Sequence, residues 1–159
     1  MISNSESYYH AAPILLESGS IILPGNFGRI INSVGISHPL YSREMLIEYI
    51  RVTEFPHKPS RFSACYVFSN MDDAVFYLKH CSQTSILYEV AIIDNTKHHK
   101  GCFNTLPSIG HTVKGVQGNP EKTARNYWLG EKTAIANYEH LNCHEILIES
   151  PIKILSKID

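Results

Sequence analysis

No two cysteines stand at C-x-x-C spacing: Cys65, Cys81, Cys102 and Cys143 are scattered singly, so a tetrahedral zinc site has no local nucleus. Two disulfides are arithmetically open, but a chain that is 43% hydrophobic needs no such staples, and four thiols in a reducing compartment are expected. The nine histidines (His10, His38, His57, His80, His98, His99, His111, His140 and His144) form no H-E-x-x-H or H-x-H pattern. Most are therefore expected at the surface or in loops, with no metal centre. No stretch approaches the ~18 apolar residues of a membrane span, and Met1 to Tyr8 lacks a basic and an apolar leader region. A cytoplasmic protein that keeps off membranes is the expectation. Positive charge is not in surplus either, with 14 Lys+Arg against 15 Asp+Glu. That removes the electrostatic footprint of a non-specific duplex-DNA binder but not a small nucleotide, an RNA end or a protein partner. There is no repeat, low-complexity tract or linker.

What is present fits one domain, 1–159, long enough to bury a core. One Trp, nine Tyr and six Phe, with only 18% charged residues, do not suit a disordered chain. Short strands are expected around Tyr8–His10 and Ser20–Leu23, followed by a Pro24-Gly25 turn and a loop through Pro39. Ser42 opens a helix with Leu46, Tyr49, Ile50 and Thr53 on one face, ending before Phe55-Pro56. Arg61–Phe68 suits a strand. Asn70 caps the next helix, with Asp72 and Asp73 favouring its N-terminal dipole and Ala74, Tyr77, Leu78 and Cys81 as its apolar stripe. Ser85–Ile93 is apolar and β-branched, as in a central strand. Asn95 to Asn119 lacks periodicity and is expected as a long loop, functional or mobile. Pro120 starts a short helix to Trp128, and Glu145–Ile148 and Ile152–Leu155 close the chain as strands. The sum is an α+β domain of six or seven strands and two to four helices.

Three segments stand together as candidates for chemistry. They are Tyr8-Tyr9-His10-Ala11-Ala12 followed by Ser20-Ile-Ile-Leu-Pro-Gly25; Cys65-Tyr66-Val-Phe68 running into the helix with Tyr77; and His144-Glu145-Ile-Leu-Ile148 followed by Pro151 and a strand. Their order and spacing resemble the NAD-using ADP-ribosyltransferase superfamily, in the branch marked by His, Tyr and an acidic residue on separate strands. The first half, and Gly118-Asn119-Pro120 before an aromatic segment, are similar to the rifampicin ADP-ribosyltransferases. The whole chain also resembles a little-characterised bacterial domain family with the pieces Y-H, P-G-N-x-G-R and P-S-R.

The resemblance implies a compact split β-sheet core and an enzyme that cleaves the nicotinamide–ribose bond of NAD through an oxocarbenium ion. Glu145 would stabilise that cation and accept a hydrogen bond from a ribose hydroxyl. His10 would bond the adenosine ribose, the Ala11 main chain would hold the nicotinamide amide, and Tyr66 would line the nicotinamide pocket. Tyr77 would offer a second aromatic face, and Arg29 would pair with the pyrophosphate. The acceptor is open: a protein, a nucleic acid or a small molecule such as an antibiotic. A bacterial toxin or defence factor, or a phage-encoded host-modifying factor, suits a chain of this kind. A nucleotide-binding or protein-interaction domain without transfer activity is the alternative.

Two positions depart from the pattern. Ala11 stands where glycine is usual, and Cys143 stands where toxin-like members carry Glu or Gln, which argues against an arginine acceptor. In rifampicin-type enzymes the acid lies mid-chain, so Asp94 competes with Glu145, which is favoured. Each residue also has a plain packing role open to it. Tyr66, Tyr77 and Trp128 suit a core, Glu145 an edge strand facing solvent, and Arg29 and Arg61 the surface. Cys143-His144-Glu145 cannot assemble a Cys-His pair, because adjacent strand residues face opposite ways.

Overall fold

The computed structural model describes residues 6–94, 96–107, 109, 118–131 and 143–159. Among these residues the chain forms β1 (Tyr8–Ala12), β2 (Ile21–Ile22), α1 (Asn26–Val34), α2 (Tyr41–Glu54), β3 (Cys65–Val67), α3 (Met71–Cys81), β4 (Ile86–Ile92), β5 (His98–Cys102), α4 (Pro120–Leu129), β6 (His144–Ile148) and β7 (Ile152–Lys157). Two antiparallel sheets result, ordered β1-β4-β7-β2 and β3-β6-β5. A single bridge, Tyr9 to Phe68, joins them. The architecture is α+β, as expected.

Strand alternation builds the core. Tyr8 and Ala12 of β1, Tyr88 and Val90 of β4, and Ile152 and Ile154 of β7 meet Cys65 and Val67 of β3 and Ile146 and Ile148 of β6. Leu147 and Tyr66, opposite each other in the β3–β6 register, turn the other way. They pack with Ile47 and Ile50 of α2 and Ala124, Tyr127 and Trp128 of α4. Trp128 is a core anchor, its Nε1 donating to Ile47 O at 3.0 Å. Asn70 caps α3 by accepting from Asp73 N at 2.8 Å, and Asn119 caps α4 from Glu121 N and Lys122 N.

Four expectations are corrected. The segment after Pro24-Gly25 is helix α1, not loop. Its Asn, Gly and β-branched residues have poor helix propensity, but Gly25 supplies a left-handed start (φ 95°), and Gly28 lies where a Cβ would run into the Phe62 carbonyl. The buried face of α2 is Arg43, Glu44, Ile47 and Ile50; Tyr49 is 63% exposed. The apolar pattern points to a different face because two members of the buried one are charged. Arg61–Ser63 is a turn leading into a three-residue strand, since Arg61 serves a polar cluster rather than a ladder. Within Asn95–Asn119 the chain forms β5, with His99 and Gly101 inward, residues that carry no apolar signature. His99 is thus buried, not superficial. His111, His140 and, of the expected loop, residues 95, 108 and 110–117 lie outside the described residues.

Candidate functional site

The β3 edge facing β1 shows how the two sheets part. Its carbonyls at residues 64, 66 and 68 point the same way, and each has a different partner. Tyr9 N donates to Phe68 O at 2.9 Å and Gly25 N to Ala64 O at 3.1 Å, while between them His10 Nδ1 donates to Tyr66 O at 2.7 Å. Had β1 continued beside β3, the Ala11 peptide would occupy that middle place. The strands diverge after one bridge instead, and an imidazole caps the carbonyl.

The divergence leaves the Ala11 peptide aimed at the gap. Tyr9 N–H and C=O are spent on Phe68, so alternation turns those of Ala11 to the same edge. Ala11 lies opposite Leu87, whose carbonyl accepts from Ile158 N on its other side; the two peptides therefore do not bond each other. The Ala11 methyl projects from the sheet plane, not along the edge, so it does not close the gap that glycine would leave open. Because its partner is a carbonyl, His10 is the Nδ1–H tautomer. Burial lowers its pKa, outweighing the Tyr66 hydrogen bond, and the neutral ring keeps a lone pair on Nε2.

On the helix-covered face of β3-β6-β5 lies a buried polar cluster centred on Arg61, which is 3% exposed. Arg61 Nε donates to Glu44 Oε2 at 2.7 Å and Nη2 to Glu44 Oε1 at 3.2 Å. Its Nη1 donates to Tyr127 Oη at 2.8 Å and also to Glu145 Oε1. Tyr127 Oη donates to the same Glu145 oxygen at 2.7 Å. The guanidinium lies 5.1 Å from the Tyr66 ring centroid and 5.2 Å from that of Tyr127, and Tyr66 Oη donates to Arg61 O at 2.7 Å. Arg43 closes the set on Glu44 Oε1. Two guanidiniums face two carboxylates. Burial opposes ionisation of Glu44, but Arg61 and Arg43 outweigh it and hold the carboxyl below its usual range. Burial likewise opposes the charge on Arg61, and Glu145 and Glu44 more than restore it.

The residues singled out in the sequence fall out as follows. His10 meets the Tyr66 backbone, Tyr66 meets Arg61, and Arg61 meets Glu145, so the three candidate strands are joined by direct contacts. Extending the β3–β6 register by one residue sets Glu145 opposite Phe68, itself opposite Tyr9; two strand spacings, about 10 Å, separate Glu145 from β1. Glu145 and Arg61 are both buried, against the solvent-facing alternative for each. Asp94 lies two residues beyond the end of β4, whose last residue Ile92 is already about 13 Å along the strand from Tyr88, the partner of His10. Tyr77 packs on Phe68 and Phe103; burial, with Glu145 nearby, pushes its hydroxyl up to about 12. Arg29 is exposed and folds back on its own turn, bonding Pro24 O at 3.3 Å and Asn26 Oδ1. Phe27 sets its ring 5.5 Å from that of Tyr66, edge to face. Cys143 is buried and its Sγ contacts Asp73 O at 3.4 Å. No group of three metal-ligating side chains occurs among the described residues, and none of their helices is long and apolar enough to cross a membrane.

No motif or apolar period in the sequence marks Arg61, Glu44 and Tyr127 as partners in this cluster. The available signal was Pro59-Ser60-Arg61 before a strand, and the i, i+3 spacing of Glu44 and Ile47, which puts a carboxylate on the buried face of α2.

The α+β chain thus places the parting of β1 and β3 beside a buried cluster of two guanidiniums and two carboxylates. Residues 6–159 match the family described as protein of unknown function (DUF2441), and the chain belongs to that family. No curated protein matches it.

Proposed function

We propose that this chain is an NAD-dependent ADP-ribosyltransferase, with its nicotinamide site at the parting of β1 and β3. The observation that carries the reading is the Ala11 peptide, turned to the edge at which β1 and β3 part, beside the His10 ring that bonds the Tyr66 carbonyl. A peptide N–H and C=O side by side are complementary to a carboxamide, which donates and accepts. Neutral His10 presents Nε2 to a ribose hydroxyl, and Tyr66 offers a ring wall. Arg29, exposed and bonded only to its own turn, would reach a pyrophosphate by giving up those bonds.

In the reaction the C1′–nitrogen bond breaks and its electron pair leaves with nicotinamide, whose pyridinium becomes a neutral ring. The ribose carbon is left as an oxocarbenium ion. Glu145 takes a hydrogen bond from a ribose hydroxyl and stabilises the cation. An acceptor nucleophile then attacks that carbon and gives up its proton. The acceptor is a protein, a nucleic acid or a small molecule. Cys143, standing where toxin-like members carry Glu or Gln, disfavours an arginine side chain as acceptor, and the absence of surplus positive charge means that a nucleic acid would need a local basic groove.

One observation favours a second reading, a nucleotide-binding domain without transfer: Glu145 Oε1 is already spent on Arg61 and Tyr127. Calorimetry with NAD and nicotinamide-release assays of wild type and His10→Ala separate them. The enzyme reading expects turnover that His10→Ala weakens mainly through KM. Binding of NAD without turnover supports the second, and neither binding nor turnover refutes both.

A further inference from the structure

Resting on Glu145 as the acid of this site, we infer that Glu44 and Arg61 are positioning residues that fix the Glu145 carboxylate for the substrate ribose. A cluster of four buried charges is an inefficient source of stability, since apolar residues of the same volume serve as well or better. What it supplies is orientation. Glu44 grips the Nε and Nη2 edge of Arg61 with both carboxylate oxygens, the fork-to-fork geometry that restricts a guanidinium most. The Tyr66 and Tyr127 rings flank the guanidinium, and Tyr66 Oη holds the Arg61 backbone.

With two nitrogens committed to Glu44, Arg61 has Nη1 left for the rest of the site. Nη1 and Tyr127 Oη converge on one oxygen of Glu145, Oε1. Two donors on one oxygen set the plane of the carboxylate and orient Oε2 relative to it, so the second oxygen is the one to receive a ribose hydroxyl. The elements that supply this frame (α2, the turn before β3, α4 and β6) are otherwise independent of one another in sequence. Glu44 thus acts on the reaction through Arg61, without touching the reacting atoms.

The test uses the full chain with NAD and the variants Glu44→Gln, Arg61→Lys and Tyr127→Phe. Nicotinamide release should show kcat reduced about tenfold or more in Glu44→Gln and Arg61→Lys, and several-fold in Tyr127→Phe, with KM for NAD changed less than about twofold. Arg61→Lys keeps the charge but loses the fork, so full activity in that variant would overturn the inference. If Glu44→Gln does not fold, Tyr127→Phe decides: an unchanged kcat there overturns the proposal. A readout without turnover is the crystal structure of Tyr127→Phe or Glu44→Gln, in which the Glu145 carboxylate should be rotated; an unmoved carboxylate overturns the inference. If wild type releases no nicotinamide while the carboxylate rotates in the variants, the enzyme reading fails and the positioning claim stands.

Discussion

His99 should make this protein lose stability in mild acid, before its carboxylates titrate. The ring is buried in β5, donates from Nε2 to Tyr127 O at 2.9 Å and accepts at Nδ1 from Lys58 Nζ at 3.1 Å. Both nitrogens are committed, and the neighbour at Nδ1 is a cation, so a second proton has no place. Burial first, then Lys58, lowers its pKa from 6.5 to about 4. The unfolded chain therefore takes up the proton first. The stability this represents is whole above pH ~6.5 and drains away as pH falls toward ~4. At pH ~5 the two states differ in proton uptake by a factor of about 30, which is about 2 kcal/mol of lost stability relative to neutral pH. Urea unfolding of wild type and His99→Gln at pH ~7 and ~5 isolates the effect, because every other titrating group is common to both. Wild type should lose about 2 kcal/mol more than the variant over that interval. Equal losses would refute the assignment of His99 as a ring held neutral by its surroundings.

Replacing Arg61 by Ala leaves Glu44 and Glu145 buried without their shared cation, and chemical denaturation should show a cost of about 3–5 kcal/mol; a change below ~1 kcal/mol would mean that water reaches the cluster freely. Gly28→Ala puts a methyl against the Phe62 carbonyl, so α1 must shift off the turn before β3, at a cost of about 1–3 kcal/mol readable in the melting temperature. Asn70→Ala removes the acceptor for Asp73 N and should cost about 1 kcal/mol in the same assay.

The parts of the fold that were legible in the sequence are those where local and tertiary demands agree. Asn70 with Asp73 marks the start of α3 by a cap that needs no tertiary help, and the apolar alternation of Ile152 and Ile154 marks β7. Legibility failed where a tertiary contact overrides a weak local signal. Helix α1 stands on two glycines, one for a left-handed start and one for close approach to Phe62, and glycines read locally as loop. Strand β5 turns a histidine and a glycine inward, the latter beneath the ring of Tyr127. The candidate site divides the same way. The strand contexts of His10, Tyr66 and Glu145 are visible in the sequence, but what links them is tertiary: His10 bonds the Tyr66 carbonyl, and Arg61 lies between Tyr66 and Glu145. Glu44 was hidden because a buried carboxylate breaks the apolar face of α2, and its reason, the Arg61 guanidinium, comes from a turn 17 residues away.

The central claim is that the β1–β3 gap holds NAD for cleavage beside Glu145. The most direct measurement follows nicotinamide release from NAD by wild type, Glu145→Gln and Asp94→Asn. Release by wild type and by Asp94→Asn, with Glu145→Gln reduced to background, is the predicted result. Background release by all three, or activity lost in Asp94→Asn and kept in Glu145→Gln, would contradict it.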